Sequence, residues 1–137
     1  MVTLLTGKKG SGKTKKLIEL AKEAVEKSNG NVVLIEKGQK LTYNLPYSVR
    51  LVDSDAYDVK GADALLGFIS GICAGNYDVT DVFVDSTLKI TGTGAEVTEA
   101  LVAELKKLSA AAETNFVLSI SAGEEEIPAS VQEFVLK

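Results

Sequence analysis

The sequence has no histidine, one cysteine and one arginine. Each shortage removes a class of chemistry. Cys73 cannot form a disulfide within the chain, and one thiol without histidine cannot assemble a zinc site. A transition-metal centre is therefore not expected. A lone cysteine among apolar residues suits a reducing compartment, so a cytoplasmic location is expected. No stretch approaches the roughly 18 apolar residues of a membrane-spanning helix. The opening MVTLLTGKKG lacks a basic start followed by an apolar run, so no signal peptide is expected. There is no internal repeat, low-complexity tract or linker.

What remains is the composition of a folded domain. The 137 residues are 45% hydrophobic and 25% charged, enough to bury a core without disulfides or a structural metal. One domain spanning 1–137 is expected. The formal charge of −4 argues against nonspecific nucleic-acid binding. Against that acidic background, Lys8, Lys9, Lys13, Lys15 and Lys16 crowd into one short segment. A local cationic spot on an acidic protein points to a small anionic ligand.

Hydrophobic periodicity divides the chain into alternating strands and helices. Strands are expected at Val2–Thr6, Val32–Ile35, Val49–Val52, Val82–Val84, Phe116–Ile120 and Val131–Leu136. Helices are expected at Lys13–Glu26, over 61–75, and from a Thr93/Glu96 capping box to about Ala112. Gly38–Pro46 reads as a polar loop with room for a small hairpin, and Asn76–Asp81 reads as a turn. Strands interleaved with helices imply an α/β fold, a mainly parallel sheet with helices on both faces. In such sheets ligands lie beyond the carboxyl ends of the strands.

The first strand runs into GKKGSGKT, Gly7 to Thr14, and then into a helix. This is the G-x-x-x-x-G-K-[ST] pattern in a strand-loop-helix setting. Gly7, Gly10 and Gly12 permit backbone conformations that bring amides close to an anion. The helix start supplies unpaired N–H groups for phosphate. Lys13 would reach the β and γ phosphates, and Thr14 would offer its hydroxyl to Mg²⁺. The candidate nucleotide-binding set is Gly7, Lys8, Lys9, Gly10, Ser11, Gly12, Lys13, Thr14 and Lys15.

In VFVDS an apolar strand ends in Asp85, the carboxylate that the magnesium side of such a site requires. Its strand is expected beside the first. Candidate metal ligands are thus Thr14 and Asp85. Ser86 and Thr87 follow Asp85 where many ATPases carry a glutamate. Glu36, ending the second strand, is the best alternative base to activate water, against the plainer reading of a solvated glutamate paired with Lys37. Asp53 and Asp55 could serve a metal or acceptor but more simply organise a turn. Ser119 and Ser121 could sense a phosphate or simply be core and turn residues. Glu124–Glu126 reads as a solvated loop, and Cys73 as core.

The order GKKGSGKT, Glu36, VFVDS resembles the RecA-like branch of P-loop ATPases. That resemblance implies a three-layer α/β/α domain of about five strands in the order 5-1-4-3-2. It implies Lys13 and Thr14 on phosphate and magnesium, Asp85 supporting the metal, and Glu36 as base. The whole chain also resembles a group of short bacterial P-loop proteins, some labelled after the twitching-motility retraction ATPase. Those motors carry histidine motifs that are missing here. Bacterial thymidine kinases have a similar opening but add a zinc-binding cysteine lasso, also missing. No Asn-Lys-x-Asp motif for guanine is present, which favours ATP. The expected function is Mg²⁺-dependent ATP binding with slow hydrolysis. Two alternatives stay open: a nucleotide-dependent regulatory module without turnover, and a small phosphotransferase. Arg50, the only arginine, falls on a predicted strand, so a second copy or a protein partner is expected to supply an arginine for efficient turnover.

Overall fold

A computed structural model describes residues 1–41 and 44–136. Five strands form one parallel sheet: β1 (Val2–Gly7), β2 (Asn31–Glu36), β3 (Val49–Asp53), β4 (Val79–Val84) and β5 (Asn115–Ser121). The helices are α1 (Lys13–Lys27), α2 (Ala62–Gly75), α3 (Thr87–Thr91) and α4 (Ala95–Ala112). Part of the hairpin expected within Gly38–Pro46, residues 42–43, lies outside the described residues. Among the described residues no helix is long and apolar enough to cross a membrane.

The strand order is β1-β5-β4-β2-β3, which corrects the expected 5-1-4-3-2. It also corrects the expectation that the Asp85 strand adjoins β1, because β5 lies between β1 and β4. The expected sixth strand, Val131–Leu136, is instead a 3₁₀ helix over Ala129–Phe134 and a single bridge, Val135 beside Leu4. Val131 N–H donates to Pro128 O and Val135 N–H to Gln132 O, so these amides are spent on local turns and not on a ladder. The Asn76–Asp81 turn is shorter than expected, since β4 already begins at Val79.

Alternation along the strands separates the two faces. Val33, Ile35, Val82, Val84, Phe116 and Leu118 face α2, α3 and α4, in the larger core. Leu5, Val32, Leu34 and Phe83 face the other way, where α1 packs with Leu17 and Ala21. This is the three-layer arrangement expected, but lopsided: among the described residues one α-helix covers one face and three cover the other. For α4 the apolar spacing of Val97, Ala100, Leu101, Leu105 and Leu108 predicts the inward stripe, and the buried stripe is rotated from it. Thr98, Leu101, Val102, Leu105 and Ser109 are buried, whereas Ala100 is exposed. The Thr93/Glu96 capping box does not form. Gly94 is the N-cap at φ 130°, and no side chain caps the helix.

The same alternation places a row of polar residues across the carboxyl edge of the sheet on the α1 face. Ser119 pairs with Leu5 of β1 and lies next to Asp85 at the end of β4. Asp85 neighbours Glu36, and Glu36 pairs with Asp53. Adjacent strands are about 4.8 Å apart, so the row Ser119, Asp85, Glu36, Asp53 is nearly continuous.

Cys73 is a core residue of α2, as its apolar stripe implied. Burial pushes its thiol pKa up, opposed in part by a hydrogen bond with Thr114. Thiolate is the reactive form, so burial slows thiol reagents both by excluding them and by raising the pKa. At pH 8 a disulfide reagent should label Cys73 at least about tenfold more slowly in the native protein than in denaturant. Equal rates would place Cys73 outside the core.

Candidate functional site

The loop between β1 and α1 is shaped by its glycines. Gly7 has φ 146°, and a Cβ there would lie 2.3 Å from Ser11 Oγ, so a larger residue would be strained and would displace the Ser11 hydroxyl. Gly12 is the N-cap of α1 at φ 89° and ψ 14°, a left-handed conformation that favours glycine. The loop is closed by Ser11 N–H donating to Lys8 O at 3.1 Å.

The start of α1 breaks two local rules. No side chain caps it, and its first turn holds no acidic residue. It carries Lys13, Lys15 and Lys16 instead. A helix start bears partial positive charge from unpaired N–H groups, so these cations are unfavourable there without an anion.

Lys13 Nζ donates to Lys8 O at 3.0 Å and to Ser11 Oγ at 3.5 Å, folded back on its own loop. Burial lowers its pKa from the ordinary lysine value, and Asp85 opposes that shift. The charged ammonium is thus mildly disfavoured where it sits, and an adjacent anion would relieve it.

Thr14, one residue on, donates from Oγ1 to Asp85 Oδ1 at 3.1 Å. Asp85 is a buried carboxylate. Its Oδ1 also accepts from Ser119 Oγ at 3.1 Å, and Oδ2 accepts from Ser86 Oγ at 3.4 Å. Ser119 in turn accepts from Ser86 N–H at 2.6 Å. Ser86 has φ 50° and ψ 52°, the left-handed turn that lets the chain leave β4 and enter α3. One knot therefore joins α1, the end of β4, the end of β5 and the start of α3. Thr14 spends its hydrogen on Asp85 and keeps oxygen lone pairs for another partner.

A cleft of about 640 Å³ opens beside this knot. Lys9, Gly10, Gly12, Lys13, Thr14 and Lys15 form one wall, and Ser119 and Ser121 part of the floor. Ser86, Leu88, Lys89 and Thr93 form the opposite wall. The lining holds four lysines and no carboxylate, on a chain of net charge −4. Three other sequence candidates, Gly7, Lys8 and Ser11, lie off the wall. Lys8 is exposed and 4.0 Å from Glu125, and Ser11 is turned toward Gly7.

The remaining candidates are engaged elsewhere. Glu36 is buried, and its two carboxylate oxygens accept from the backbone N–H groups of Lys40 and Leu41, each at 3.1 Å. It anchors the loop after β2 and does not line the cleft. Asp53 accepts from Gly38 N–H at 2.8 Å and Asp55 N–H at 2.9 Å, the turn-organising role expected of it. Lys37 pairs with Asp55 at 3.3 Å, not with Glu36. Glu124–Glu126 is an exposed 3₁₀ turn. Arg50 lies on the edge strand β3, away from the cleft wall. Among the described residues no group of three or more acidic or cysteine side chains could hold a metal by itself.

Sequence reasoning missed Lys89, Leu88 and Thr93. A five-residue helix is too short to show periodicity. The one available signal was Lys89 itself, close behind Asp85 in DSTLK. Comparison with protein-family models finds none that matches the chain, and comparison with curated proteins finds no match.

The knot has a measurable consequence. Removing the Ser119 hydroxyl strands the Ser86 N–H and leaves Asp85 Oδ1 with Thr14 as its one remaining donor. Ser119→Ala should lower unfolding stability in urea by about 1–3 kcal/mol. Ser121→Ala, on an exposed residue, should change it by less than about 0.5 kcal/mol. Equal effects of the two would mean that the Ser119 bonds carry no special weight.

Proposed function

We propose that this protein binds a nucleoside triphosphate, ATP by preference, together with Mg²⁺, and hydrolyses it slowly. One observation carries the reading. A glycine loop delivers Lys13 and Thr14 at an uncapped helix start, and Thr14 is hydrogen-bonded to the carboxylate that ends β4, two strands from β1 in the parallel sheet. The lysine-lined, carboxylate-free cleft beside it supports a polyanionic ligand. The backbone amides of Gly10 and Gly12 and the Lys13 ammonium would hold phosphate oxygens.

The metal reading rests on donor chemistry. Thr14 and Asp85 offer hard oxygens and no sulfur or imidazole nitrogen, a set that suits Mg²⁺ when phosphates and water complete it. Bound there with the nucleotide, Mg²⁺ would neutralise charge on the β and γ oxygens. Ser119 and Ser86 hold Asp85 in place for that role.

Glu36 is the residue on which hydrolysis turns. Its row position beside Asp85 supports a role in orienting water. Its bonds to Lys40 and Leu41 leave one lone pair on each oxygen for a water but fix the group to its own loop. That second fact favours the rival reading, nucleotide binding without turnover. The phosphotransferase alternative finds less support, because Asp53 and Asp55 are committed to the turn and to Lys37.

Calorimetric titration with Mg-ATP, followed by a phosphate-release assay, separates these readings. Lys13→Ala should weaken ATP binding by at least about tenfold, the effect of losing a charge-assisted contact. Lys16→Ala, exposed and off the cleft wall, should have little effect. No ATP binding by the unmodified protein would end the proposal. Glu36→Gln turns an amide NH₂ toward a backbone N–H, so it should also cost about 1–3 kcal/mol of stability. Lost release with retained ATP affinity would make Glu36 the base. Normal release would remove it from that role, and no release by either form would favour binding alone.

A further inference from the structure

We infer that Lys89 is a specificity residue that distinguishes a triphosphate from a diphosphate by touching the terminal phosphate. This rests on the nucleotide reading above and deepens it. Lys89 shares the cleft with Lys13 but stands on the opposite wall, contributed by α3. The two lysines thus line one space from two different elements, the start of α1 and α3. Among the described residues no carboxylate lies within 4.0 Å of Lys89, and each ion pair found involves another lysine.

Its position is held firmly for an exposed lysine. Thr87 and Ile90 are buried and fix which side of α3 faces the core. Gly61 N–H donates to Ile90 O at 2.8 Å and ties α3 to the segment before α2. At its other end, Ser86 N–H donates to Ser119 Oγ at 2.6 Å. The backbone of Lys89 is therefore bonded through Ser86 to the same knot that holds Asp85 and Thr14.

That connection sets which phosphate Lys89 meets. The glycine loop and the start of α1 grip the phosphates from the β1 side. Asp85 marks the end where the metal and the outer phosphates would lie, and α3 follows directly from it. A diphosphate in the loop would leave the space before Lys89 empty, and a triphosphate would reach into it. Lysine suits the task as a compact charge on a long, mobile stem. Lys89 would also supply from within the chain the cation that Arg50, on the distant edge strand, does not.

The test compares Mg²⁺ complexes of a non-hydrolysable ATP analogue and of ADP by calorimetry. Lys89→Ala should weaken binding of the triphosphate analogue by about tenfold or more and change ADP affinity by less than about twofold. Lys89→Arg should restore most of the triphosphate affinity. Lys13→Ala should weaken both ligands. If Lys89→Ala leaves both affinities unchanged, Lys89 is a solvated surface lysine and the inference is wrong. If it weakens both equally, Lys89 adds general charge without selectivity, and the inference is again wrong. Those two results leave the nucleotide reading intact, whereas an unmodified protein that binds neither ligand overturns both.

Discussion

The start of α1 is electrostatically unfinished, and the rest of the site is arranged around that fact. A helix usually begins with a capping side chain and an acidic first turn. Here glycine caps and lysines fill the first turn. The covering of the sheet adds to this. Among the described residues α1 is the one α-helix on its face, so its packing through Leu17 and Ala21 must hold the helix in place while its first turn contributes repulsion. Sequences agree with their folds at most positions, and a local rule broken without a structural gain marks a place where something else was selected. An anion at this end would supply the missing cap and the missing negative charge together.

The knot around Asp85 converts that local feature into a site. β5 separates β1 from β4, so Thr14 and Asp85 come from units that do not pair with one another. Ser119 closes the gap because it sits on the intervening strand and bonds to Asp85. A side chain at this one position of β5 thereby fixes the geometry between a loop at one sheet edge and a carboxylate two strands away. The αL turn at Ser86 then carries the chain to α3, so whatever moves Asp85 must also strain the wall bearing Lys89.

Elements with strong periodicity were legible in the sequence. β1, β2, β3, β5, α1 and α2 lie within a residue or two of their expected limits, because long apolar stripes and continuous buried runs leave few alternatives. The loop from Gly7 to Thr14 could be placed between strand and helix for the same reason. Strand order could not be read, because the pattern tells which faces are buried and not which edges meet. The C-terminal segment misled because Val131 and Val135 are apolar and half-alternating, yet Val131 packs from a 3₁₀ turn. Thr93 and Glu96 misled because capping boxes compete with glycine, and Gly94 at φ 130° begins the helix instead. The cleft's second wall escaped notice because α3 is one turn long and its lysine has meaning only in three dimensions.

The polar row across the carboxyl edge bears on how fast such a site could turn over. Asp53 and Glu36 each bind two backbone amides, and Asp85 binds three hydroxyl groups. Carboxylates satisfied in this way are good at holding loops and positioning ligands. A general base needs a free lone pair aimed at a water, with room for that water. Glu36 is 3% exposed, so water reaches it only if the segment at Lys40 and Leu41 gives way. Any chemistry by Glu36 would then depend on the loop segment at Lys40 and Leu41. A ligand that leaves that loop closed would be bound and kept, and a ligand or partner that shifts it would free the one carboxylate placed next to Asp85 that could act on water.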